Sequence, residues 1–134
     1  MTRSKQREQI FKLLFRIEFN SIDDMDEQCR LFFDMPDDPM EPSDEEYIRG
    51  KYDRILEKLP DIDKAVNERT KGWTTDRMSK VDLTIIRLGV YEIMYDEDVP
   101  EGVAINEAVE LAKKFGQDES YSFVNGVLSN FIDR

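Results

Sequence analysis

No histidine occurs in the 134 residues. Its absence removes serine–histidine and cysteine–histidine nucleophile pairs, imidazole proton transfer and most transition-metal sites. The single cysteine, Cys29, cannot form an internal disulfide and fits a reducing compartment, so a cytoplasmic protein is expected. No apolar run approaches the length needed to cross a bilayer, and charges interrupt the N-terminus where a signal core would lie. No glycine-rich phosphate loop is present, and the many acids nowhere alternate with glycine turns as in a calcium loop. These absences predict a protein with no enzymatic activity, no cofactor and no metal.

Only six glycines and five prolines punctuate the chain, and 40% of its residues are hydrophobic. Runs of alternating polarity are few, which points to an all-α fold. The net charge of −11 is unevenly spread. Within residues 1–16, Arg3, Lys5, Arg7, Lys12 and Arg16 face one acid, Glu8, a local balance of +4, leaving −15 for the remainder. The pattern is a basic arm on an acidic body. A first helix is predicted over 4–19, with Ile10, Phe11, Leu13, Leu14 and Ile17 on one arc and Lys5, Lys12 and Arg16 opposite. Arg3 and Arg7 extend the apolar arc beyond the core, so that end is expected to overhang into solvent or ligand.

Further helices follow. Residues 24–33 would pack Met25, Cys29, Leu31 and Phe32, and the three prolines of 34–42 mark a loop. Ser43 and Glu46 form a capping box for a third helix bearing Tyr47, Ile48, Tyr52, Ile55, Leu56 and Leu59. Pro60 is expected to end it and Asp61 to cap a fourth, which stops at Gly72. Trp73 reads as a plug between two helical halves. The next helix, from about Ser79, is apolar nearly all round, and its Arg87 requires an ion-pair partner. In 105–116 the apolar residues repeat at helical spacing, Glu107 and Glu110 suit the positive end, and Lys113 and Lys114 suit the negative end. Gly116 is expected to stop that helix in the left-handed conformation. Asp118 would cap the last one, where Phe123, Val127 and Phe131 share a stripe and Gly126 is read as a close helix–helix contact.

The runs INEAVELAKKFG (105–116), SFVNGVL (122–128), RxxxxDLTIIRLGVYEI (77–93) and VPEGVAIN (99–106) resemble the bacterial NusB antitermination family, with a looser match in REQIFKLLF (7–15). The resemblance implies one domain over 1–134, a two-part bundle of about seven helices with halves 1–72 and 73–134. It implies binding of boxA leader RNA together with NusE, a small-subunit ribosomal protein, within an RNA polymerase antitermination complex serving ribosomal RNA operons. The family's RNA-contacting positions match Arg3, Lys5, Arg7, Glu119, Ser122 and Phe123, and its NusE-facing positions match Phe15 and Asp82. Ser4 and Gln6 depart from the family's arginine-rich arm. Phe123 also lies on its helix's apolar stripe, so core packing competes with stacking on RNA. For Asn106 and Asn125, structural hydrogen bonds are expected in preference to RNA contact. Two rival readings stay open: the NusB-like module of an RNA cytosine methyltransferase, whose catalytic part would be absent here, and a scaffold binding only protein. Monomer and homodimer are both compatible with the resemblance.

Overall fold

The computed structural model describes residues 1–132, and its regular elements there are all helical. The helices are α1 (Arg3–Phe15), α2 (Met25–Asp34), α3 (Pro42–Arg69), α4 (Lys80–Tyr95), α5 (Glu101–Phe115) and α6 (Ser120–Ser129). Short 3₁₀ turns occupy Arg16–Glu18, Ile22–Asp24 and Thr75–Arg77. The chain divides into two compact units, Met1–Leu56 and a second beginning at Glu57, so the division falls within α3.

In the first unit, Thr2 caps α1 by accepting a hydrogen bond from the Lys5 amide. Ile10, Phe11, Leu13 and Leu14 are buried, together with Met25, Cys29 and Phe32 of α2 and Ile48, Tyr52 and Ile55 of α3. Leu31, expected in this core, is exposed instead. Successive α2 core positions at 25, 29 and 32 follow the helical repeat, and position 31 falls off that face. The start of α3 also differs from the Ser43 capping box. Pro42 takes the first helical position, where its missing N–H costs nothing, and the Asp44 carboxylate accepts from the Glu41 amide at 3.0 Å.

Pro60 does not end α3, and Asp61 does not open another helix. A proline inside a helix costs about 3 kcal/mol through the lost hydrogen bond and the clash four residues back. Ile55, Ile62 and Val66, on either side of it, are fully buried, and each contributes about 1.5–3 kcal/mol by burial. Packing therefore outweighs the break.

In the second unit α5 packs on α4 and α6, and α4 also touches α6. Leu83, Ile85, Ile86, Leu88, Val90 and Tyr91 are all buried, as a helix apolar on most sides requires. Arg87 makes the expected ion pair, its Nε and Nη2 donating to the Asp63 carboxylate at 2.9 and 2.8 Å. On α5, Ala104, Ala108, Leu111 and Ala112 face inward. Lys113 and Lys114 lie in its last turn, but the acid of its first turn is Glu101; Glu107 and Glu110 sit further along, and Glu110 pairs with Lys113 at 3.6 Å.

Three expectations about the last two helices need correction. Gly116 is extended, φ −91° and ψ −169°, and the left-handed glycine among the described residues is Gly72 at φ +78°. What Gly116 supplies is space, since a Cβ there would lie 2.5 Å from Ser120 Cβ and 2.8 Å from the Ala112 carbonyl. Asp118 is not the cap of α6: that position is Glu119, and the Ser120 hydroxyl accepts from the Gln117 amide at 2.9 Å. The helix does run through Asn125 and Gly126, yet a Cβ at Gly126 would meet nothing within 4 Å. The close α4–α6 approach is at Gly89, where a Cβ would stand 2.7 Å from Leu128 Cδ1.

Candidate nucleic-acid and partner interface

The basic arm is more heavily committed than its sequence suggests. Arg7 is only 5% exposed, and it engages other groups of the protein. The expected overhang at this residue is therefore corrected: the α1 face from Gln6 to Leu14 is largely buried, and Arg7 belongs to it. Lys12 lies 3.3 Å from Asp37 and 3.8 Å from Glu8, while Arg16 donates to the Gln28 carbonyl and side chain at 3.2 Å.

Arg3 and Lys5 remain at the surface. Arg3 stacks its guanidinium 3.8 Å above the Tyr47 ring and donates to Gln6 Oε1 at 2.6 Å. Gln6 in turn donates to Asp44 at 2.8 Å, so two helices hold Arg3 in place. The Glu41 amide, then Gln6, keep the Asp44 carboxyl below its ordinary pKa. Lys5 carries its ammonium on the exposed side and forms no ion pair among the described residues. The sequence places Gln6 in the arm and Tyr47 on the buried face of the third helix, but gives neither a part in holding Arg3, because that role depends on contacts across 38 or more positions of chain.

Phe15 is half-buried between two rings. It stacks on buried Phe11, centroids 6.0 Å apart, and meets the edge of Phe19 at 5.1 Å. Phe19 is 61% exposed and Ile22 57%, so this aromatic row leads from the core to the surface.

In the second unit, Asp82, Glu119 and Phe123 line one open groove of about 810 Å³ with Trp73, Met78 and Asp118. Ser79 caps α4, its hydroxyl accepting from the Asp82 amide at 3.1 Å, but Asp82 Oδ1 is buried without a hydrogen-bond partner among the described residues. Phe123 is half-buried, and its ring meets Trp73 at 5.3 Å and 67°. Trp73 is 49% exposed and so is not a plug. The left-handed Gly72 precedes it, and Thr70 Oγ1 holds its carbonyl. Arg77 donates to the Gly72 carbonyl at 2.8 Å with its guanidinium 5.6 Å from the indole. Ser122 is exposed and lines a shallower hollow with Glu119, Tyr121 and Phe123. Asn106 and Asn125 are exposed and show no side-chain hydrogen bond among the described residues, so the expected pinning bonds are not found.

The arrangement is that of an all-helical protein in which Arg3, Lys5, Glu119 and Ser122 are exposed, Phe15, Asp82 and Phe123 are half-buried, and Arg7 is buried. A family model described as the NusB family matches residues 4–133, and the chain belongs to that family. It is 53% identical over 133 residues to the transcription antitermination protein NusB of Agathobacter rectalis, covering 98% of this chain and 99% of that protein. The corresponding protein of Lachnoclostridium phytofermentans is 47% identical, with 99% and 100% covered. Among solved structures, T. maritima NusB superposes with a TM-score of 0.86 at 32% identity, covering 98% of this chain and 90% of that one. A crystal structure of antitermination factors NusB and NusE with dsRNA shares the fold, TM-score 0.77 at 23% identity, covering 98% and 97%. No helix among the described residues is long and apolar enough to cross a membrane.

Proposed function

We propose that this chain is an RNA-binding transcription antitermination factor that engages boxA-type single-stranded RNA together with NusE. In that role it joins the RNA polymerase antitermination complex on ribosomal RNA operons. Family membership supports the role, and the NusB–NusE–dsRNA assembly is formed by a protein of the same fold. The observation that carries RNA binding is Arg3, exposed yet fixed over Tyr47, two residues from the unpaired Lys5. A phosphate meets a positioned guanidinium there at little ordering cost. Arg7 contributes by holding α1 in place. On α6, Ser122 and the accessible part of Phe123 suit a base, whose ring stacks and whose edge accepts or donates hydrogen bonds. Glu119 repels phosphate, so its contact would be with a base N–H. Phe15, continued by Phe19, offers NusE an apolar row.

Titration of labelled boxA RNA, with and without NusE, tests this reading. The expected result is salt-sensitive binding that NusE strengthens, with Arg3→Ala and Lys5→Ala each lowering the salt slope by about 0.7. Absence of RNA binding in the presence of NusE would overturn it in favour of a scaffold that binds only protein.

A further inference from the structure

We propose that Lys12 is a further RNA phosphate contact on α1, held in the free protein by Asp37 of the loop 35–41 and passed to the RNA on binding. The inference rests on the reading that α1 carries RNA, and it extends that contact along the helix beyond Lys5.

The geometry of α1 places Lys12 in line with Lys5. Seven residues at about 100° each return to within about 20° of the starting direction, and at about 1.5 Å per residue they advance about 10 Å. Both ammonium groups therefore stand on one face of the helix, within reach of one short strand. Arg16 continues the face but is tied to the Gln28 carbonyl and side chain, so the stretch ends at Lys12. Between the two lysines lies Gln9, fully buried, whose amide donates to Asp38 at 3.3 Å.

The loop opposite is built to present carboxylates. Asp37 and Asp38 stand between Pro36 and Pro39, whose rings restrict the backbone. Anchored through Asp38 and Gln9, the loop sets Asp37 Oδ2 3.3 Å from Lys12 Nζ. Lys12 also lies 3.8 Å from Glu8, one turn back. Exposure decides how firmly the loop holds its lysine: the Asp37 side chain is 66% exposed and that of Lys12 28%. An ion pair open to water contributes little, so another anion can replace Asp37 at small cost. A phosphate does so and also releases the counterions condensed on its strand. The flexible four-carbon stem of lysine lets the ammonium swing from carboxylate to phosphate without moving α1. Asp37 thus stands where the phosphate would, and a nucleic acid must outcompete it.

Labelled boxA RNA is titrated in a salt series, with NusE present, into wild type, Asp37→Asn, Lys12→Ala and the double variant. Asp37→Asn is expected to tighten binding about two- to fivefold, the range of an exposed ion pair. Lys12→Ala should weaken binding and lower the salt slope by about 0.7, one contact on a single strand. In the double variant the gain from Asp37→Asn should vanish, because its route is Lys12. Urea midpoints show that each variant is folded where it is measured. Amine labelling of the wild type gives a second readout: RNA should shield Lys12 together with Lys5 and leave the exposed Lys64 of α3 reactive. A gain from Asp37→Asn that persists without Lys12 would make Asp37 a general repulsion of RNA and overturn the proposal. Unchanged affinity and slope in Lys12→Ala, or Lys12 labelled equally with and without RNA, would overturn it as well. The two readings fail separately. Wild type that binds RNA through Lys5 but not Lys12 keeps the function and removes only this extension, whereas wild type that binds no RNA with NusE present removes the function itself.

Discussion

The two units solve the burial of polar groups in different ways. The first buries Gln6, Arg7, Glu8, Gln9, Asp44 and Lys51, and the second buries Thr70, Thr84, Glu92 and Ser120. Three of the latter four are hydroxyls satisfied close by in sequence: Thr70 and Thr84 donate to carbonyls four residues back, and Ser120 accepts from the Gln117 amide. In the first unit the buried amides reach partners far along the chain, Gln6 in Asp44 and Gln9 in Asp38. A polar group satisfied within its own helix tolerates tertiary change, whereas one satisfied across helices fixes their register. The first unit should therefore respond most to lost charges and hydrogen bonds, and the second to added volume.

The largest expected effect tests the second half of that contrast. Gly116→Ala keeps an ordinary backbone conformation but drives its methyl against Ser120 and the Ala112 carbonyl. Backbone cannot rotate away, so a loss of about 3 kcal/mol is expected, the upper end of the overpacking range, read as a shift in urea midpoint. A loss below about 1 kcal/mol would mean the α5–α6 turn yields easily, and the contrast would weaken.

Arg7→Ala should come next, at about 2 kcal/mol, because it strips a buried side chain and leaves its partners unsatisfied. Its effect on the salt dependence of RNA binding should be slight while the variant is folded. Lys5→Ala should do the reverse, reducing the slope and leaving the midpoint alone. Should Arg7→Ala instead reduce the slope by a full contact with its midpoint intact, Arg7 would be an RNA contact and the first unit's buried set would lose a member.

Acid titration sharpens the same comparison through Asp44. Its folded pKa lies below the ordinary 3.8, chiefly through the Glu41 amide and Gln6. A depressed carboxyl contributes stability that is whole above its unfolded pKa and is lost as pH falls through the folded one. Unfolding midpoints should therefore decline below about pH 4, and Asp44→Asn should flatten part of that decline while lowering stability at neutral pH. An Asp44→Asn curve parallel to wild type throughout would show that the carboxylate contributes nothing specific.

What the sequence disclosed was whatever depends on local spacing. Helices α4 and α5 were legible because their apolar repeats are long and unbroken, and Arg87 was legible because a charge on an apolar helix needs a partner. The continuity of α3 was not, since Pro60 is a strong local signal and the burial that overrides it is tertiary. At the site, the acidic and aromatic residues of the groove could be named singly, and Trp73 came directly after the glycine that turns it outward. Their meeting with Asp82 could not be read, because 41 positions separate Asp82 from Phe123. The overhang expected at Arg7 fails for the same reason: its place on the helical wheel is local, and the depth of the surrounding wall is not.

The smallest effect concerns a glycine whose type carries no hint of its role. Three helical or helix-ending positions, Gly89, Gly116 and Gly126, look alike in sequence. The first two are hemmed in, by Leu128 and by Ser120 with the Ala112 carbonyl, while Gly126 faces open space on α6. With no contact to lose, the intrinsic preference of a helix for alanine decides the sign. Gly126→Ala should therefore stabilise the protein by about 0.5–1 kcal/mol, through the smaller backbone entropy lost on folding. Thermal unfolding of Gly89→Ala, Gly116→Ala and Gly126→Ala side by side checks it, with the first two expected to fall and only the third to rise. Gly89→Ala should fall less than Gly116→Ala, because a Leu128 methyl can swing aside and a carbonyl cannot. If Gly126→Ala also falls, with RNA binding unchanged, α6 is packed more tightly than its open surface indicates, and volume limits the second unit on its outer side as well.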